Sequence, residues 1–480
     1  MSEPKRMHPI SIVLQMLKLI KDAIIPLAVG FIAFFRNLSE MFWWSPFALI
    51  GAVLLISGLT AFLHWYRFTY RIEADELRLE SGVFVRKKRY ISKHRIQSVN
   101  TSANILHRLF GIVKLEVQTA GGGKKAEGEI GALSKEDAAG IQQFVKRKEQ
   151  RDTETDSIED LSSVKRAGYT LSFRRLLAAA ATSGGTGVFF GFLFAITQQL
   201  DNIADFNIYS IAFDWLLEQS LVLSILFVIG SLALTWMIAM VGTVFKYCYF
   251  QITKQGEELF IRRGLLEKRE ITIPLHRIQA LKVEENIFRQ PFGLLAVSAV
   301  IAGGGAESDK HSFSTILFPL LKRSELQHFL KEIVPGFVVE TAFRKPPKRA
   351  RLRYAFVPIL ISMLITGVLV YFFSWYGLFA ILFILLTVCF CVLDYKDAGV
   401  SWTADMLTMR YRELSRITVH VPRKKVQAFR ESQHYFQSKK QLGTVKISVA
   451  SGGAAGSSFK VRHLAEQDAQ AAADWYSFRS

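Results

Sequence analysis

The sequence predicts an α+β membrane protein in which three transmembrane hairpins, six helices in all, are each followed by a small β-rich module. The first observation behind this prediction is a pattern that occurs three times along the 480 residues. The second is a set of long runs without charged residues, which are typical of helices that cross a bilayer. The third is a net charge of +19, much of which lies beside those runs. Together they favour a multi-pass membrane protein over a soluble one.

Three landmarks recur in each copy of the pattern: a basic tetrad that ends in Gln, a glycine after an apolar residue, and a glycine-rich stretch. The glycine follows the Gln by 14 residues in the first two copies and by 16 in the third, and the glycine-rich stretch lies ten residues further on. Spacings this regular indicate one module that was tripled. The tetrads are residues 94–97, 276–279 and 424–427, the glycines are Gly111, Gly293 and Gly443, and the glycine-rich stretches are 121–123, 303–305 and 452–453.

Four runs without Asp, Glu, Lys or Arg are predicted to cross the membrane: residues 41–66, 176–200, 219–245 and 354–393. The last run is long enough for two spans of about 20 residues each, with its turn at 374–377. A shorter run, 23–35, contains Pro26 and also fits an interfacial segment. The repeat favours a span there, because each of the other modules follows a pair of spans.

The charge beside these runs predicts the orientation of the chain. The loop 201–218 contains four carboxylates and no Lys or Arg, and the connecting loops on its side of the membrane contain only Arg36 as a basic residue. Basic residues instead crowd the helix ends beside the modules, as at Arg67, Lys246 and 345–353. Cytoplasmic loops carry the excess of Lys and Arg. We therefore expect a plasma-membrane protein whose N-terminus and modules are cytoplasmic.

Each module alternates apolar and charged residues between Gly or Pro, which predicts short strands. An amphipathic helix is predicted to end each copy, at residues 134–148, 320–333 and 464–478. About seven strands and one helix are few enough to close as a barrel or sandwich. The predicted segments are hairpin 1 at 1–65, module 1 at 66–150, a flexible linker at 151–173, hairpin 2 at 174–245, module 2 at 246–335, a basic linker at 336–353, hairpin 3 at 354–393 and module 3 at 394–480.

Catalytic motifs are scarce in the sequence. Residues 121–125 lack the spacing of a phosphate-binding loop, and the second copy has Ala306 and Glu307 in place of the two lysines. No pair of carboxylates recurs between the copies, and only His94 and His276 recur among the ten histidines. We therefore expect no enzyme, no metal and no cofactor. The cysteines are interpreted as buried thiols; they are Cys248, Cys389 and Cys391.

Basic clusters in each module are the most functional-looking feature. Near an anionic leaflet each Lys or Arg contributes about 1 kcal/mol of attraction, which predicts a surface that binds anionic lipid or a partner. A solvated strand face of a cytoplasmic module is the alternative. Nucleic acid is disfavoured, because the charges are not interleaved with aromatic platforms. The candidate surface residues are Arg86, Lys87, Lys88, Arg89, Arg262, Arg263, Lys268, Arg269, Arg423, Lys424 and Lys425.

Two further patterns are interpreted as packing signals. In the first two tetrads, Ile96 and Ile278 are expected to point inward while their polar neighbours point outward, because strand residues alternate between faces. Gly187 and Gly191 are expected to let another helix approach closely, either within the six-helix bundle or in a dimer.

The order of elements resembles the bacterial pleckstrin-homology-like (PH-like) domain family of membrane proteins. The residues that carry the resemblance are Gly-Val-Phe at 82–84 and Gly-Leu-Leu at 264–266 before a basic strand, and Arg-Ile-Gln at 95–97 and 277–279 after it. The third copy departs from this pattern at 424–426. The resemblance implies a PH-like barrel of two packed antiparallel sheets capped by a helix. It implies no catalytic residues, and it suggests an envelope-associated protein, sometimes linked to tolerance of membrane-active peptides.

The leading hypothesis is a non-enzymatic scaffold whose three PH-like modules contact the anionic face of the membrane or a protein partner. The resemblance implies that this partner could be a smaller membrane protein with a single PH-like module. A homo-oligomer is also compatible with the sequence, and nucleic acid is not expected. The alternative hypothesis is a transporter or export accessory that uses the six-helix bundle, although the predicted spans, apart from the weaker first one, place no ionisable residue at mid-membrane.

Overall fold

In the computed structural model of the chain, the described residues are 3–36, 45–73, 75–83, 85–119, 127–146, 168–183, 220–302, 314–337, 342–373, 381–451 and 456–477. Several predicted features lie outside these residues. They are the packing glycines Gly187 and Gly191, the loop 201–218, the turn 374–377, the three glycine-rich stretches and residues 151–167 of the predicted linker.

The described helices occur as three packed pairs, one at each predicted hairpin, and as short helices within the modules. In each hairpin the two helices pack against each other: α1 on α2, α5 on α6, and α8 on α9. The helices are α1 (Ser11–Arg36), α2 (Ser45–Arg67), α3 (Ile105–Leu109), α4 (Lys135–Lys146), α5 (Phe173–Ala181), α6 (Leu221–Tyr247), α7 (Leu326–Ile333), α8 (Arg351–Phe373), α9 (Ile381–Asp397), α10 (Tyr435–Ser438) and α11 (Glu466–Tyr476).

Three stretches in the described part of the chain are long and apolar enough to cross a membrane. They are Phe47–Arg67, Ile229–Tyr247 and Lys348–Phe372, with mean hydropathies of 2.1, 1.5 and 2.3. The first two lie within α2 and α6, and the third comprises the turn at Lys348–Ala350 and nearly all of α8, so that each predicted hairpin contributes one. Their apolar side chains face outward, as Leu55 and Leu364 do with 70% and 68% exposure. The prediction that the three cysteines are buried thiols is wrong for Cys389, which is exposed on α9. Cys391 is buried and Cys248 is half-buried.

Every module consists of antiparallel strands and a terminal helix. Module 1 contains β1 (Lys5–Arg6), β2 (Thr69–Glu73), β3 (Glu76–Ser81), β4 (Lys87–Ser92), β5 (Ile96–Ala103), β6 (Ile112–Thr119) and β7 (Gly128–Ser134). Module 2 contains β8 (Gly168–Thr170), β9 (Gln251–Gln255), β10 (Glu258–Arg263), β11 (Lys268–Pro274), β12 (Ile278–Glu285), β13 (Leu294–Ile301) and β14 (Ser314–Lys322). Module 3 contains β15 (Gly399–Trp402), β16 (Met406–Arg412), β17 (Arg416–Pro422), β18 (Val426–Ser432), β19 (Leu442–Val449) and β20 (Ser457–Ala465).

The sheets do not stop at the module boundaries. The strand orders are β1-β2-β3-β4, β7-β6-β5-β11-β10-β9-β8, β14-β13-β12-β17-β16-β15 and β18-β19-β20. The second sheet of module 1 thus continues into the first sheet of module 2, and the second sheet of module 2 continues into the first sheet of module 3. The three modules are joined edge to edge in one row.

A short segment before each membrane hairpin completes the module that follows it. Lys5 pairs with Tyr70 across β1 and β2, and Gly168 pairs with Thr253 across β8 and β9. In module 3 an isolated bridge joins Arg344 to Val400. The prediction of a flexible linker over 151–173 is therefore wrong for residues 168–170, which form a strand because they can pair with the open edge of β9.

The terminal helices are shorter than predicted. Helix α4 begins after Ser134, whose hydroxyl oxygen accepts a hydrogen bond of 3.0 Å from the backbone N–H of Asp137, as the capping pattern predicts. Residues 320–322, predicted as helix, continue strand β14 instead. Leu464 and Ala465 likewise end strand β20. In both cases pairing with the neighbouring strand outweighs the local helix pattern.

Each module has its own apolar core, formed between its two sheets and its helix. Module 1 buries Leu77, Leu115 and Ile141 completely, and module 2 buries Phe318 and Phe329. Burial of one such side chain contributes about 1.5–3 kcal/mol. In module 3 the corresponding residues are Leu407, Met409, Val445, Val461 and Ala469.

The turn before the basic strand explains the glycine of the first two copies. Gly82 and Gly264 have φ angles of +112° and +103°, and a Cβ there would lie 2.0 Å and 1.9 Å from the carbonyl oxygens of Val85 and Glu267. Only glycine fits such a turn. The third copy uses a different turn, closed by the Glu413 N–H on the Ser415 carbonyl at 3.2 Å, and it lacks this glycine.

Candidate interaction edges

The modules are joined by two strand pairings. At the first joint, β11 of module 2 lies antiparallel to β5 of module 1. At the second, β17 of module 3 lies antiparallel to β12 of module 2. The first joint pairs Lys268 with Ala103, Arg269 with Ser102 and Glu270 with Thr101. The second pairs Arg416 with Glu285, Ile417 with Glu284, Thr418 with Val283, Val419 with Lys282 and His420 with Leu281.

The two joints have the same register when the modules are aligned on the Gln of their tetrads. Lys268 lies 11 residues before Gln279, and Arg416 lies 11 residues before Gln427. Ala103 and Glu285 each lie six residues after the Gln of the preceding module. Both joints therefore pair position −11 of one module with position +6 of the module before it. The joint is a repeated feature of the module itself.

An ionic network holds the second joint. The guanidinium Nε of Arg416 donates to Glu285 at 3.2 Å, and its Nη1 donates to Asp397, the last residue of α9, at 3.4 Å. Arg412, whose side chain is 1% exposed, donates to the same Asp397 at 2.7 Å and to Gln290 of module 2 at 2.7 Å. The network thus connects module 2, module 3 and the end of helix α9.

The first joint is held by side-chain hydrogen bonds to backbone groups. The side-chain oxygen of Asn100 accepts a hydrogen bond of 3.3 Å from the backbone N–H of Thr272. Arg108, in α3 of module 1, donates to the carbonyl of Leu265 in module 2 at 2.9 Å. These contacts fix the turn before β11 against module 1. A sequence search could not find them, because their partners are backbone groups.

The predicted basic surface is exposed in module 1. Arg86, Lys87, Lys88 and Arg89 all have exposed side chains along or beside β4. Arg86 pairs with Glu80 at 2.5 Å, and Lys88 lies 3.9 Å from the same carboxylate. Arg89 donates to the backbone carbonyl of Glu127. Four cationic side chains with one nearby carboxylate leave this edge strongly positive.

In module 2 the predicted basic residues are divided among three environments. Arg262 is exposed and pairs with Glu270 at 3.1 Å. Arg263 is only 5% exposed and lies over the ring of Tyr247, so it cannot contribute to a surface. Lys268 and Arg269 lie in the first joint.

In module 3 the basic residues serve local contacts. Arg423 lies 5.4 Å from the centre of the Trp475 ring. Lys425 reaches back to module 2 and donates to the carbonyl of His276 at 2.8 Å. Lys424 is exposed. Lipid or partner binding by the predicted residues thus stays a prediction, and the four residues of module 1 are its strongest candidates.

The prediction for the tetrads is confirmed for Ile278 and is wrong for its neighbours in module 2, whereas Ile96 of module 1 is only partly buried against its core. Ile278 is buried, but so are Arg277 and Gln279, with 6% and 7% exposure. Arg277 donates to the carbonyl of Ala302, and Gln279 donates to the carbonyl of Arg277 at 3.0 Å. Burial lowers the pKa of Arg277 to about 10. The tetrad forms a 3₁₀ turn between two sheets, so simple strand alternation does not apply to it.

Two strand edges at the ends of the row stay open. β4 is the last strand of its sheet and β18 is the first strand of its sheet, with no strand paired to their outer sides in the described part of the chain. β4 occupies in module 1 the place that β11 and β17 occupy in the joints. β18 occupies in module 3 the place of β5 and β12. Open edges of this kind are templates for strand pairing.

A basic cleft lies where the third membrane hairpin meets module 3. It has a volume of about 860 Å³ and is lined on one side by Phe356, Val357 and Pro358 of α8. Arg353 and Lys460 also line it. Lys460 belongs to a row of three cations, because Arg430 pairs with Lys446 and Lys446 with Lys460 across neighbouring strands. Like charges in such direct opposition are destabilising unless an anion offsets them.

The described residues contain no group of three or more His, Cys, Asp or Glu side chains that could hold a metal ion. The ion pairs and buried polar groups of modules 2 and 3 instead fill structural roles at the joints and turns. The arrangement pairs strands between modules, places cations at the cleft and presents a positive edge on β4.

Comparisons with known proteins agree with the repeat. The chain matches the bacterial PH domain family three times, over residues 23–149, 201–334 and 355–479. It is 36% identical over 491 aligned residues to the UPF0699 transmembrane protein YdbT of Bacillus subtilis (strain 168), an alignment that covers 100% of this chain and 99% of that protein. No solved structure matches the chain.

Proposed function

The chain belongs to the bacterial PH domain family, and from that premise we propose that it is a non-enzymatic scaffold of the plasma membrane. Six helices in three hairpins hold three PH-like modules on the cytoplasmic side, and the modules work as one edge-joined row. The row presents a fixed arrangement of edges and charges to partners at the membrane surface. Tolerance of membrane-active peptides is the envelope function that the family resemblance suggests for such a scaffold.

The observation that carries the proposal is the identical register of the two joints. Modules that only shared a chain would need no common register. A joint that recurs at positions −11 and +6 holds successive modules in one orientation, which is what a scaffold requires. The network of Arg412, Arg416 and Asp397 also ties this orientation to a membrane helix.

Disulfide cross-linking in native membranes tests the row. Ser102→Cys and Arg269→Cys place thiols at directly opposite positions of the first joint, where Cα atoms of paired strands lie about 4.5–5.5 Å apart and a disulfide can form. The three native cysteines are first replaced by Ala. A protease site inserted in residues 151–167 separates the two halves, so that a cross-link keeps them together without reductant.

We expect an oxidant to link the halves of the Ser102→Cys, Arg269→Cys protein. The matched control pairs Ser102→Cys with Lys254→Cys on β9, three strands away and hence about 14 Å distant. Equal cross-linking of the two pairs, or none in the first, would show that the modules are not joined in this row and would remove the proposal.

A second candidate function, binding of an anionic lipid headgroup, is favoured by the basic cleft. Its cations are Arg353, Lys460 and Arg462, and its apolar wall is formed by Phe356 and Pro358 at the start of α8. A headgroup phosphate would offset the repulsion between Lys446 and Lys460, while the acyl chains would lie along α8. Basic pockets beside membrane helices on the cytoplasmic side are known to hold such headgroups.

Native mass spectrometry of the detergent-solubilised protein tests this candidate. Phosphatidylglycerol is expected to stay bound where phosphatidylcholine is lost, and Lys460→Gln is expected to reduce the bound fraction several-fold. Lys331→Gln, which removes an equally exposed charge from α7 of module 2, serves as the control. Retention of phosphatidylglycerol by the Lys460 variant at the level of the control would exclude the cleft as the site.

A further inference from the structure

We propose that the two open edges of the row pair with each other between copies, so that β18 of one molecule adds to β4 of the next. This inference rests on the proposed row of joined modules and names its partner, a second copy of this chain. It follows from what the interior joints already do. A β4-type strand pairs with a β5-type strand of the preceding module at both of them.

The register of the joint between copies follows from the same rule. Arg86 lies 11 residues before Gln97, at position −11 of module 1, and Gln433 lies six residues after Gln427, at position +6 of module 3. Arg86 of one copy should therefore lie opposite Gln433 of the other. The pairs that follow in antiparallel order are Lys87 with Ser432, Lys88 with Glu431, Arg89 with Arg430 and Tyr90 with Phe429.

The chemistry of these pairs is complementary at two positions. Lys88 would meet Glu431, whose pKa is raised by burial and by the nearby charges of Glu466 and Asp474, so a lysine at this point relieves an excess of negative charge. Tyr90, which is 54% exposed, would meet Phe429, and aromatic cross-strand pairs are favourable. Arg89 opposite Arg430 is the one like-charged pair.

Positive charge on β4 does not by itself block the pairing. Lysine and arginine on an edge strand often oppose association with other sheets. However, Lys268 and Arg269 occupy the same two positions in module 2 as Arg86 and Lys87 do in module 1, and they lie inside the first joint. The strand type that carries this charge is therefore one that pairs.

A second copy is the occupant because it supplies both missing strands. The described part of the chain leaves one strand of each type open, β4 at one end and β18 at the other. Their combination is a head-to-tail contact, and contacts of this kind build rings or open chains of molecules. Three membrane hairpins hold all modules of neighbouring copies on one side of the membrane, which places the two edges at the same height.

Cross-linking between differently tagged copies tests the proposal. One copy carries Lys88→Cys and the other carries Glu431→Cys, both in the background without native cysteines, and both are expressed together in membranes. Because the two positions lie directly opposite each other in the predicted register, an oxidant should give a disulfide-linked pair that contains both tags. The register control replaces Lys88→Cys by Ser92→Cys, four residues along the same strand and about 13 Å away.

Charge reversal provides an independent readout on full-length protein with no cysteine added. Lys88→Glu should shift the particles measured by mass photometry in detergent towards the single-copy mass, and so should Glu431→Lys. A mixture of the two variants should regain a two-copy species, because each offers the other one restored pair.

The proposal is overturned if the Lys88 and Glu431 thiols link no better than the Ser92 control, or if charge reversal leaves the particle masses unchanged. The Ser102 and Arg269 pair distinguishes this failure from failure of the row. If the pair within one chain links while the pair between copies does not, the row stands and only the association of copies is removed.

Discussion

Arg416 shows at the scale of single residues why the second joint holds. Its guanidinium bridges Glu285 of module 2 and Asp397 of helix α9. The side chains of Arg416 and Glu285 are 17% and 7% exposed, so water does little to screen them. Burial by itself would lower the pKa of Arg416, but the hydrogen bond and charge of Glu285 outweigh it and the pKa is raised.

Arg416→Ala is expected to lower the free energy of unfolding by about 3 kcal/mol, the lower end for breaking a buried ion pair, because it leaves Glu285 buried without its partner. Denaturant unfolding of the detergent-solubilised protein measures the change. Arg262→Ala removes an exposed pair with Glu270 instead and should cost about 0–1 kcal/mol. Equal effects of the two changes would show that the network does not hold the joint.

His420, in strand β17 of the second joint, predicts a loss of stability in acid. Its ring Nδ1 lies 3.0 Å from the Thr408 hydroxyl, and burial together with the charge of Arg410 lowers its pKa to about 4. The folded protein therefore favours neutral His420, and this contribution is fully present above the ordinary pKa of 6.5. It is lost as the pH falls from 6.5 through about 4.

His420→Gln should flatten that part of the profile, since glutamine can keep a hydrogen bond to Thr408 without titrating. Unfolding midpoints measured between pH 7 and pH 4 give the comparison. Burial and neighbouring cations also lower the pKa of His463 to about 4. His463 therefore contributes the same acid sensitivity in both proteins, and the difference between them reports on His420. An acid sensitivity identical to that of the unchanged protein would contradict the assignment.

At the scale of elements, the 3₁₀ turn of each tetrad is what makes a module able to join on both sides. The turn connects β4 to β5, β11 to β12 and β17 to β18. In module 2 the strand before the turn, β11, pairs with module 1 and the strand after it, β12, pairs with module 3. The two strands that meet at this corner of the barrel can therefore pair with the modules on either side. The spacing around the Gln is the same in each copy, which keeps the two strands at a constant offset.

The terminal helix closes each barrel through a few large side chains. Phe329 of α7 is fully buried against Phe318 and Tyr169. Phe329→Ala should lower the free energy of unfolding by about 3–5 kcal/mol, as measured by denaturant unfolding. Leu266→Ala, at a side chain that is 44% exposed, should change it by less than about 0.5 kcal/mol. A small loss at Phe329 would mean that α7 is not part of the core.

At the scale of the whole molecule, three hairpins and one row of modules constrain each other. Modules joined edge to edge lie on the same side of the membrane only if an even number of spans separates each from the next, which agrees with the proposed hairpins. The structure identifies one membrane-competent helix in each hairpin. Strand β8, directly before α5, pairs with β9 and so holds the chain against module 2 at the start of the second hairpin.

Thiol labelling checks this layout in cells. Single cysteines at Lys88, Leu266 and Lys424, one in each module, should react with an impermeant maleimide only after the membrane is permeabilised. A single cysteine at Asn207, in the loop predicted to lie outside, should react in intact cells. If a module position is labelled in intact cells while the cysteine at Asn207 is not, the predicted orientation is wrong.

The sequence by itself determined the triplication, the membrane runs, the strand character of the modules and the turn glycines. These features are local: Gly82 and Gly264 follow from one tight turn, the cap at Ser134 from one hydrogen bond, and the runs from the absence of charge. The triplication is found by comparing the chain with itself, and each of the other features can be read within a short stretch of the chain, which is why the sequence was sufficient for them.

The tertiary structure alone decided how the modules meet and which of the basic strands lie in a joint. Ala103 and Lys268 are separated in sequence by a complete membrane hairpin, and their pairing depends on backbone hydrogen bonds between open edges, which side-chain patterns do not encode. The same pairing takes β11, which carries Lys268 and Arg269, into a joint, whereas β4, which carries Lys88 and directly follows Arg86, keeps an open edge, although the sequences look alike. Their difference is one of position in the row, because in the described part of the chain no strand pairs with the outer edge of β4.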